Sequence, residues 1–123
     1  MKCLIAVLAV TLYFNSPAFA SWSTQDLVLE GVYLGLLYID CGQTIYRKQS
    51  FPRYREANPL IRYASTDDFR RVCTSLLIFH PIIASHLTEY TRSTFQILSI
   101  AFELAAVRKN ASIRPSVAFR LSY

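Results

Sequence analysis

The sequence predicts an all-α protein with an N-terminal signal helix, a three-helix bundle of the transmembrane type and a short extended C-terminal tail. The first observation is composition, because 53% of the 123 residues are apolar and 17% are charged, against about 25% charged in soluble domains. The second is that apolar residues gather in four blocks, at 3–14, 27–39, 72–87 and 94–107. The third is that arginine and lysine collect on alternate sides of the last three blocks, as in membrane proteins.

The first twenty residues have the pattern of a secretory signal peptide. Lys2 precedes the apolar run at 3–14, and Ala18-Phe19-Ala20 supplies the small residues of a cleavage site. A helix of 12 residues spans only about 18 Å, which is too short for a membrane crossing. We therefore expect cleavage after Ala20 and one mature domain at 21–123. An uncleaved first transmembrane helix is the alternative.

The proline-free stretch at 27–46 predicts the first helix of the mature domain. Ser23 or Thr24 is expected to cap it, and Asp26 suits the positive end of the helix dipole. A polar stripe runs along this helix, since Glu30, Asp40 and their neighbours recur at helical spacing.

The second helix is expected from Ser65 or Thr66 to about residue 87, with Pro81 kinking or dividing it near His80. A short link then leads to a third helix at 94–109. The last residues, 111–123, alternate apolar and polar side chains, which predicts an extended segment.

Basic residues are segregated between the predicted helices. Seven lie at 47–71, between the second apolar block and the third, one lies in the link before the fourth block, and four lie from residue 108 onward. This distribution is the positive-inside pattern of three spans with the N-terminus outside and the C-terminus inside, which predicts the bacterial inner membrane as the location. Acidic residues within the helices oppose insertion, so a helical domain docked on the periplasmic face of the membrane is the alternative.

The seven basic residues at 47–71 are predicted to face membrane lipid, because aromatic residues interleave with them and an anionic surface suits that mixture. A nucleic-acid partner is not expected for a chain with an export signal. The chain itself, or another envelope protein, is a further possible partner. The seven residues are Arg47, Lys48, Arg53, Arg55, Arg62, Arg70 and Arg71.

Ionisable residues inside the apolar blocks form the candidate site. Glu30, Asp40, His86 and Glu103 are ligand types that bind a divalent metal or relay protons. Their spacing matches no established metal or catalytic motif, so the sequence predicts no cofactor and leaves a metal open. The alternative, which we favour, is a set of hydrogen bonds between helices that holds the bundle together.

Two cysteines remain after signal cleavage, Cys41 and Cys73. Both lie in apolar helical stretches, where free cysteine behaves as a small hydrophobic residue. We therefore expect two buried thiols. A disulfide between them in an oxidising compartment is the alternative.

Several short matches give the chain a family resemblance. Asp40, Gln43-Thr44 and Glu56-Ala57-Asn58-Pro59-Leu60 follow one another in the order Asp…Gln-Thr…Glu-x-Asn-Pro-[Ile/Leu]. With Glu103 and Asn110, they make the chain similar to a family of small exported or membrane proteins from phages, prophages and bacteria.

The resemblance covers residues 22–123 and implies a cellular context, the phage or bacterial envelope, without a reaction. It adds Thr44, Glu56 and Asn58 to the candidate site. Cys41 departs from the family pattern, since an aromatic residue is usual at its position.

The leading functional hypothesis is a non-enzymatic envelope protein of helical type that acts through protein or membrane interaction. One alternative is a holin-like membrane protein involved in lysis, which three spans and a basic C-terminal tail would suit. Another is a metal-dependent membrane hydrolase or transporter-like site around the predicted acidic and histidine residues.

Overall fold

A computed structural model of the chain describes residues 21–51 and 63–113. These residues form three helices, α1 (Thr24–Ser50), α2 (Thr66–Ser85) and α3 (Glu89–Ile113), and contain no strand. In the described residues, the all-α class and the three helices predicted after residue 20 are therefore confirmed. The predicted signal peptide at 1–20 and the segment at 52–62 lie outside the described residues.

Helix α1 begins where its capping residues predict. The side chain of Ser23 accepts a hydrogen bond from the Asp26 backbone N–H at 3.1 Å, and Asp26 Oδ2 accepts one from the Ser23 N–H at 2.9 Å. This reciprocal capping box satisfies two backbone donors at the helix start. The helix then continues four residues past the predicted end at 46, to Ser50.

Helix α2 is capped by Ser65, whose side chain accepts from the Asp68 N–H at 3.0 Å. It runs through Pro81 without interruption, so the predicted division of the helix is wrong. The link expected at 88–93 is also shorter, because α3 already begins at Glu89. Helix α3 includes 111–113, where an extended segment was expected, and the rest of that segment lies outside the described residues.

The apolar core is built by residues spaced four apart on α1 and by two residues of α2. Tyr33, Leu37, Cys41 and Ile45 pack with a pair from α2, Phe69 and Cys73. Side chains spaced by four residues lie on one face of a helix. A second, smaller cluster places Trp22 against Ala84, with Phe95 beside it. Helix α1 therefore contacts both other helices, and α2 and α3 touch each other less.

Cys41 and Cys73 form a disulfide between α1 and α2, with their Cα atoms 6.2 Å apart. The expectation of two free thiols is therefore wrong. Both residues are buried on the facing apolar stripes of the two helices, and the packing that buries them also brings their sulfur atoms together.

None of the described helices has both the length and the apolar character needed to cross a membrane. The transmembrane part of the predicted fold class is therefore not found in residues 21–51 and 63–113.

Candidate functional site

A buried ion pair joins the start of α1 to α3. Arg92 Nη1 donates to Asp26 Oδ2 at 3.1 Å, and both side chains are at most 5% exposed. The guanidinium also donates through Nε to the Ala84 carbonyl and through Nη2 to the Leu87 carbonyl, each at 2.9 Å. It lies over the ring of Trp22, 5.2 Å from the centroid. Arg92 therefore ties the end of α2 and the turn after it to α1.

Several influences set the pKa of Asp26. Burial opposes its ionisation, but hydrogen bonds from Ser23 and the adjacent Arg92 guanidinium outweigh burial and lower the pKa below its ordinary value. Asp26 is therefore an anion in the folded protein at neutral pH, as its ion pair with Arg92 requires.

One helical turn further along α1, Glu30 accepts hydrogen bonds from both other helices. Its Oε1 lies 2.7 Å from His80 Nδ1 of α2, and its Oε2 accepts from Gln96 Nε2 of α3 at 2.9 Å. An ionised carboxylate only accepts hydrogen bonds, so His80 donates its Nδ1–H. Gln96 Nε2 also donates to the Asp26 carbonyl at 3.1 Å. Glu30 is therefore the point where all three helices meet.

The imidazole of His80 is enclosed on both faces. The ring of Tyr33 stacks at 3.6 Å between centroids and that of Phe95 at 4.4 Å. On the remaining edge, His80 Nε2 lies 3.0 Å from Ser99 Oγ. Burial, together with the negative charges of Glu103 and Glu30, raises the pKa of Tyr33, so its phenol stays neutral.

We call this group of buried polar residues the His80 network. Its members are Asp26, Glu30, His80, Arg92, Gln96 and Ser99. The order Glu30, His80, Ser99 matches the carboxylate, imidazole and hydroxyl of a serine hydrolase. Catalysis also needs donors aimed at an oxyanion. Ser99 lies inside α3, where backbone N–H groups bond within the helix, and aromatic rings cover the imidazole. The geometry therefore fits hydrogen bonding between helices better than acyl transfer.

A second polar group lies toward the other end of the α1–α3 interface, and we call it the Asp40 cluster: Asp40, Arg47, Glu103 and Asn110. Asn110 Nδ2 donates to Asp40 Oδ1, while Arg47 Nη1 donates to Asn110 Oδ1 at 2.9 Å and its Nη2 to the Asn110 carbonyl. Asn110 is thus held from both sides by α1. The side-chain amide of Asn110 thus connects the cation of Arg47 to the carboxylate of Asp40 through hydrogen bonds.

Glu103 is a carboxyl group of the Asp40 cluster with a strongly raised pKa. Burial, followed by repulsion from Asp40, raises its pKa from 4.5 to about 7. Its Oε2 is buried and has no hydrogen-bond partner among the described residues. A carboxyl group with these properties changes its charge near neutral pH, which makes it the titrating group of this site.

The predicted site residues lie in different parts of the structure. Glu30 belongs to the His80 network, and Asp40 and Glu103 to the Asp40 cluster, so the structure does not bring the three together in one set. Thr44 is buried at 3% exposure. His86 is exposed at the end of α2, and its assignment to a buried cluster is wrong. Glu56 and Asn58 lie outside the described residues.

The metal alternative gains no support from the described part of the chain. No group of three or more histidine, cysteine, aspartate or glutamate side chains is placed to hold a metal ion in residues 21–51 and 63–113.

The residues predicted to face lipid also differ from one another in exposure and in their partners. Arg47 is 3% exposed and bonded to Asn110, so its assignment to lipid is wrong. Lys48 donates to the Ala64 carbonyl at 2.9 Å, and Arg70 pairs with Asp67 at 3.0 Å. Arg71 is 84% exposed. The other three, Arg53, Arg55 and Arg62, lie outside the described residues.

His80 was not among the predicted site residues, although its position in the sequence carries a signal. His80 lies seven residues after the core residue Cys73, about 20° from it around the helix, whereas His86 falls on the opposite side. Asp26 was assigned only to capping, and Arg92 only to a link. Their pairing spans 66 residues and depends on the packing of α3 against α1.

No known protein-family model matches the chain, and no solved structure matches it significantly. The fold and site thus define a class only, a disulfide-linked three-helix bundle with a buried histidine–carboxylate network.

Proposed function

We propose that the protein is an exported, non-enzymatic helical module of the bacterial or phage-derived envelope, acting by binding at the periplasmic face of the inner membrane. The observation behind this proposal is the enclosed position of the His80 network between the three helices. Its donors bind acceptors on neighbouring helices, and the imidazole of His80 is stacked between two rings. Such side chains lock a bundle and leave no reactive group facing a substrate.

The disulfide between Cys41 and Cys73 supports export. Disulfides persist in oxidising compartments and are rare where glutathione and thioredoxin keep thiols reduced. The bridge is buried and joins two helices, as a structural disulfide does. It agrees with the secretory pattern of the first twenty residues, which is an independent argument from the sequence.

The exposed apolar side chains support a binding role. Phe102 is 80% exposed, Leu98 is 66% exposed and Phe79 is 57% exposed. Large apolar side chains exposed next to one another mark surfaces that bind proteins, membranes or ligands. Leu98 and Phe102 are four residues apart on α3 and therefore share one face.

Absence of catalysis is tested by turnover assays on ester and phosphoester substrates. We compare the wild-type protein with Ser99→Ala and His80→Gln, and use Ser75→Ala, an exposed serine of α2, as the matched control. We expect no turnover above background in any of the four proteins. Hydrolysis that disappears in Ser99→Ala but persists in Ser75→Ala, with both variants folded, would overturn the non-enzymatic proposal.

Export is tested by cell fractionation combined with thiol alkylation. We expect the wild-type protein in the periplasmic fraction with Cys41 and Cys73 inaccessible to alkylation until a reductant is added. Leu8→Arg, which interrupts the apolar run of the signal, should leave the chain in the cytoplasm with both thiols reduced. Gln49→Arg adds the same charge at an exposed position of α1 and should be exported normally. Wild-type protein that stays in the cytoplasm would refute export.

A further inference from the structure

The three helices bring most of the chain's described basic residues to one end of the bundle. Arg47 in the last turn of α1 bonds to Asn110 near the end of α3, and Lys48 bonds to the Ala64 carbonyl just before α2 begins. The C-termini of α1 and α3 therefore lie together with the N-terminus of α2. The described basic residues of the positive-inside pattern, except Arg92, therefore lie at one end of an up–down–up bundle.

The charges at this basic end are unbalanced. It holds six basic residues and four acidic residues, Asp67 and Asp68 in the first turn of α2 and Asp40 and Glu103 of the Asp40 cluster. The opposite end has Asp26 balanced by Arg92, along with Glu89 in the first turn of α3. The six basic residues are Arg47, Lys48, Arg70, Arg71, Arg108 and Lys109.

Only three of these six cations face outward. Arg71 has an 84% exposed side chain and lies 4.0 Å from Asp68, at the limit of an ion pair. Arg108 and Lys109 are exposed in the last turns of α3. The other three are engaged with Asn110, Ala64 and Asp67.

Exposed apolar side chains stand next to these three cations. Val72 follows Arg71 and is 38% exposed, and Tyr63, before α2, is 89% exposed. On α3, Leu104 is 45% exposed and precedes Arg108 by one helical turn. Cations beside exposed apolar and tyrosine side chains are the arrangement that binds an anionic lipid interface.

We propose that Arg71, Arg108 and Lys109 dock the basic end of the bundle on an anionic membrane surface. The inference rests on the proposed function and names the partner of that module. Charge complementarity selects the occupant, because a second copy of this chain, with a net charge of +5, would repel this end. The exposed apolar side chains favour a lipid interface over nucleic acid, whose backbone is bound mainly by cations.

Vesicle sedimentation tests this docking. The purified protein is mixed with vesicles of phosphatidylcholine alone or with added phosphatidylglycerol, at low and at high salt. We expect binding only to the phosphatidylglycerol vesicles, weakening as salt rises. Arg71→Gln, Arg108→Gln and Lys109→Gln combined should weaken binding on the order of 100-fold, about fivefold for each cation.

The matched control changes the net charge equally at the opposite end. Gln25→Glu, Thr91→Glu and Thr94→Glu are exposed positions, and this triple variant should keep at least most of the affinity. Equal loss in both variants, equal binding to neutral vesicles, or displacement by an oligonucleotide at equal charge concentration would each overturn lipid docking. These outcomes concern the partner alone, whereas turnover or failed export would refute the proposed function itself.

Discussion

The His80 network and the Asp40 cluster both join α1 to α3, but their carboxylates differ in the hydrogen-bond donors around them. In the His80 network, Glu30 accepts one hydrogen bond on each oxygen, from His80 and from Gln96. In the Asp40 cluster, Asp40 is bonded to Asn110, while Glu103 Oε2 is buried with no donor among the described residues. Two glutamates in one helix interface therefore have opposite surroundings.

This difference shows that hydrogen-bond donors can hold the pKa of an acidic residue down against burial, as at Asp26, whereas burial raises the pKa of Glu103. Asp26 is 1% exposed, yet its donors keep its pKa low. Glu103 is only partly buried, yet desolvation and the nearby Asp40 raise its pKa to about 7. We expect changes in the His80 network to alter stability at neutral pH, where Asp26 is charged, and changes at Glu103 to alter how stability depends on pH near neutrality.

The largest effect is expected from breaking the buried ion pair of the His80 network. Arg92→Met should lower the free energy of unfolding by about 3–5 kcal/mol, because it leaves the buried Asp26 charge without its partner. Urea unfolding at neutral pH measures the loss. Arg71→Met, an exposed cation, is the control and should cost less than about 0.5 kcal/mol. Similar losses in both variants would show that the ion pair has no special role.

The next largest loss of stability is expected from removing the disulfide, which lies beside the Asp40 cluster. Replacing both Cys41 and Cys73 by alanine should lower the free energy of unfolding by about 3–4 kcal/mol, because the bridge closes a loop across a sequence separation of 32 residues. Thermal unfolding with and without a reductant measures it. The reductant should destabilise the wild-type protein and leave the double variant unchanged. A reductant-insensitive wild type would contradict the bridge.

The third largest effect is the pH dependence of the unfolding free energy that Glu103 of the Asp40 cluster produces. Folded Glu103 has a pKa of about 7 against 4.5 ordinarily, so the folded protein retains a proton that the unfolded chain releases between these values. Stability should therefore fall as pH rises from 4.5 to 7. Glu103→Gln removes this penalty and should be more stable than wild type above pH 7 by on the order of 2 kcal/mol, allowing for partial solvent exposure.

Urea unfolding over a pH series checks this prediction, and the stabilities of Glu103→Gln and wild type should converge in acid. Glu89→Gln removes an exposed carboxyl group from the first turn of the same helix and serves as the control. Its difference in unfolding free energy from wild type should be small across the pH series. Parallel curves for Glu103→Gln and wild type would show that Glu103 does not titrate differently in the folded protein.

Much of the fold could be predicted from local patterns. Apolar blocks and capping residues identified three helices, and Ser23 with Asp26 marked the start of α1. Hydropathy could not separate a membrane span from a buried helix, because both bury apolar residues over similar lengths. The segregation of basic residues was real, but an up–down–up bundle with one basic end produces it as readily as three spans do.

The site was only partly predictable, because its contacts depend on tertiary packing. Glu30, Asp40 and Glu103 stood out as ionisable residues inside apolar blocks. Helical rotation would have favoured His80 over His86, since His80 shares the stripe of Phe69 and Cys73. The partners of Glu30 are 50 and 66 residues away in the chain, and no periodicity links them.

The smallest expected change in unfolding free energy is that of Ser99→Ala, which tests whether His80 has a structural or a catalytic role. Ser99→Ala removes the partner of His80 Nε2, which costs about 1 kcal/mol for a typical hydrogen bond. The higher helix propensity of alanine offsets about 0.5 kcal/mol of that loss. Ser75→Ala on the exposed face of α2 has the propensity gain without the hydrogen bond, so the difference between the two variants isolates the bond. Equal unfolding free energies for the two variants would mean that Ser99 adds nothing to stability, and its position beside a histidine–carboxylate pair would then need a chemical explanation.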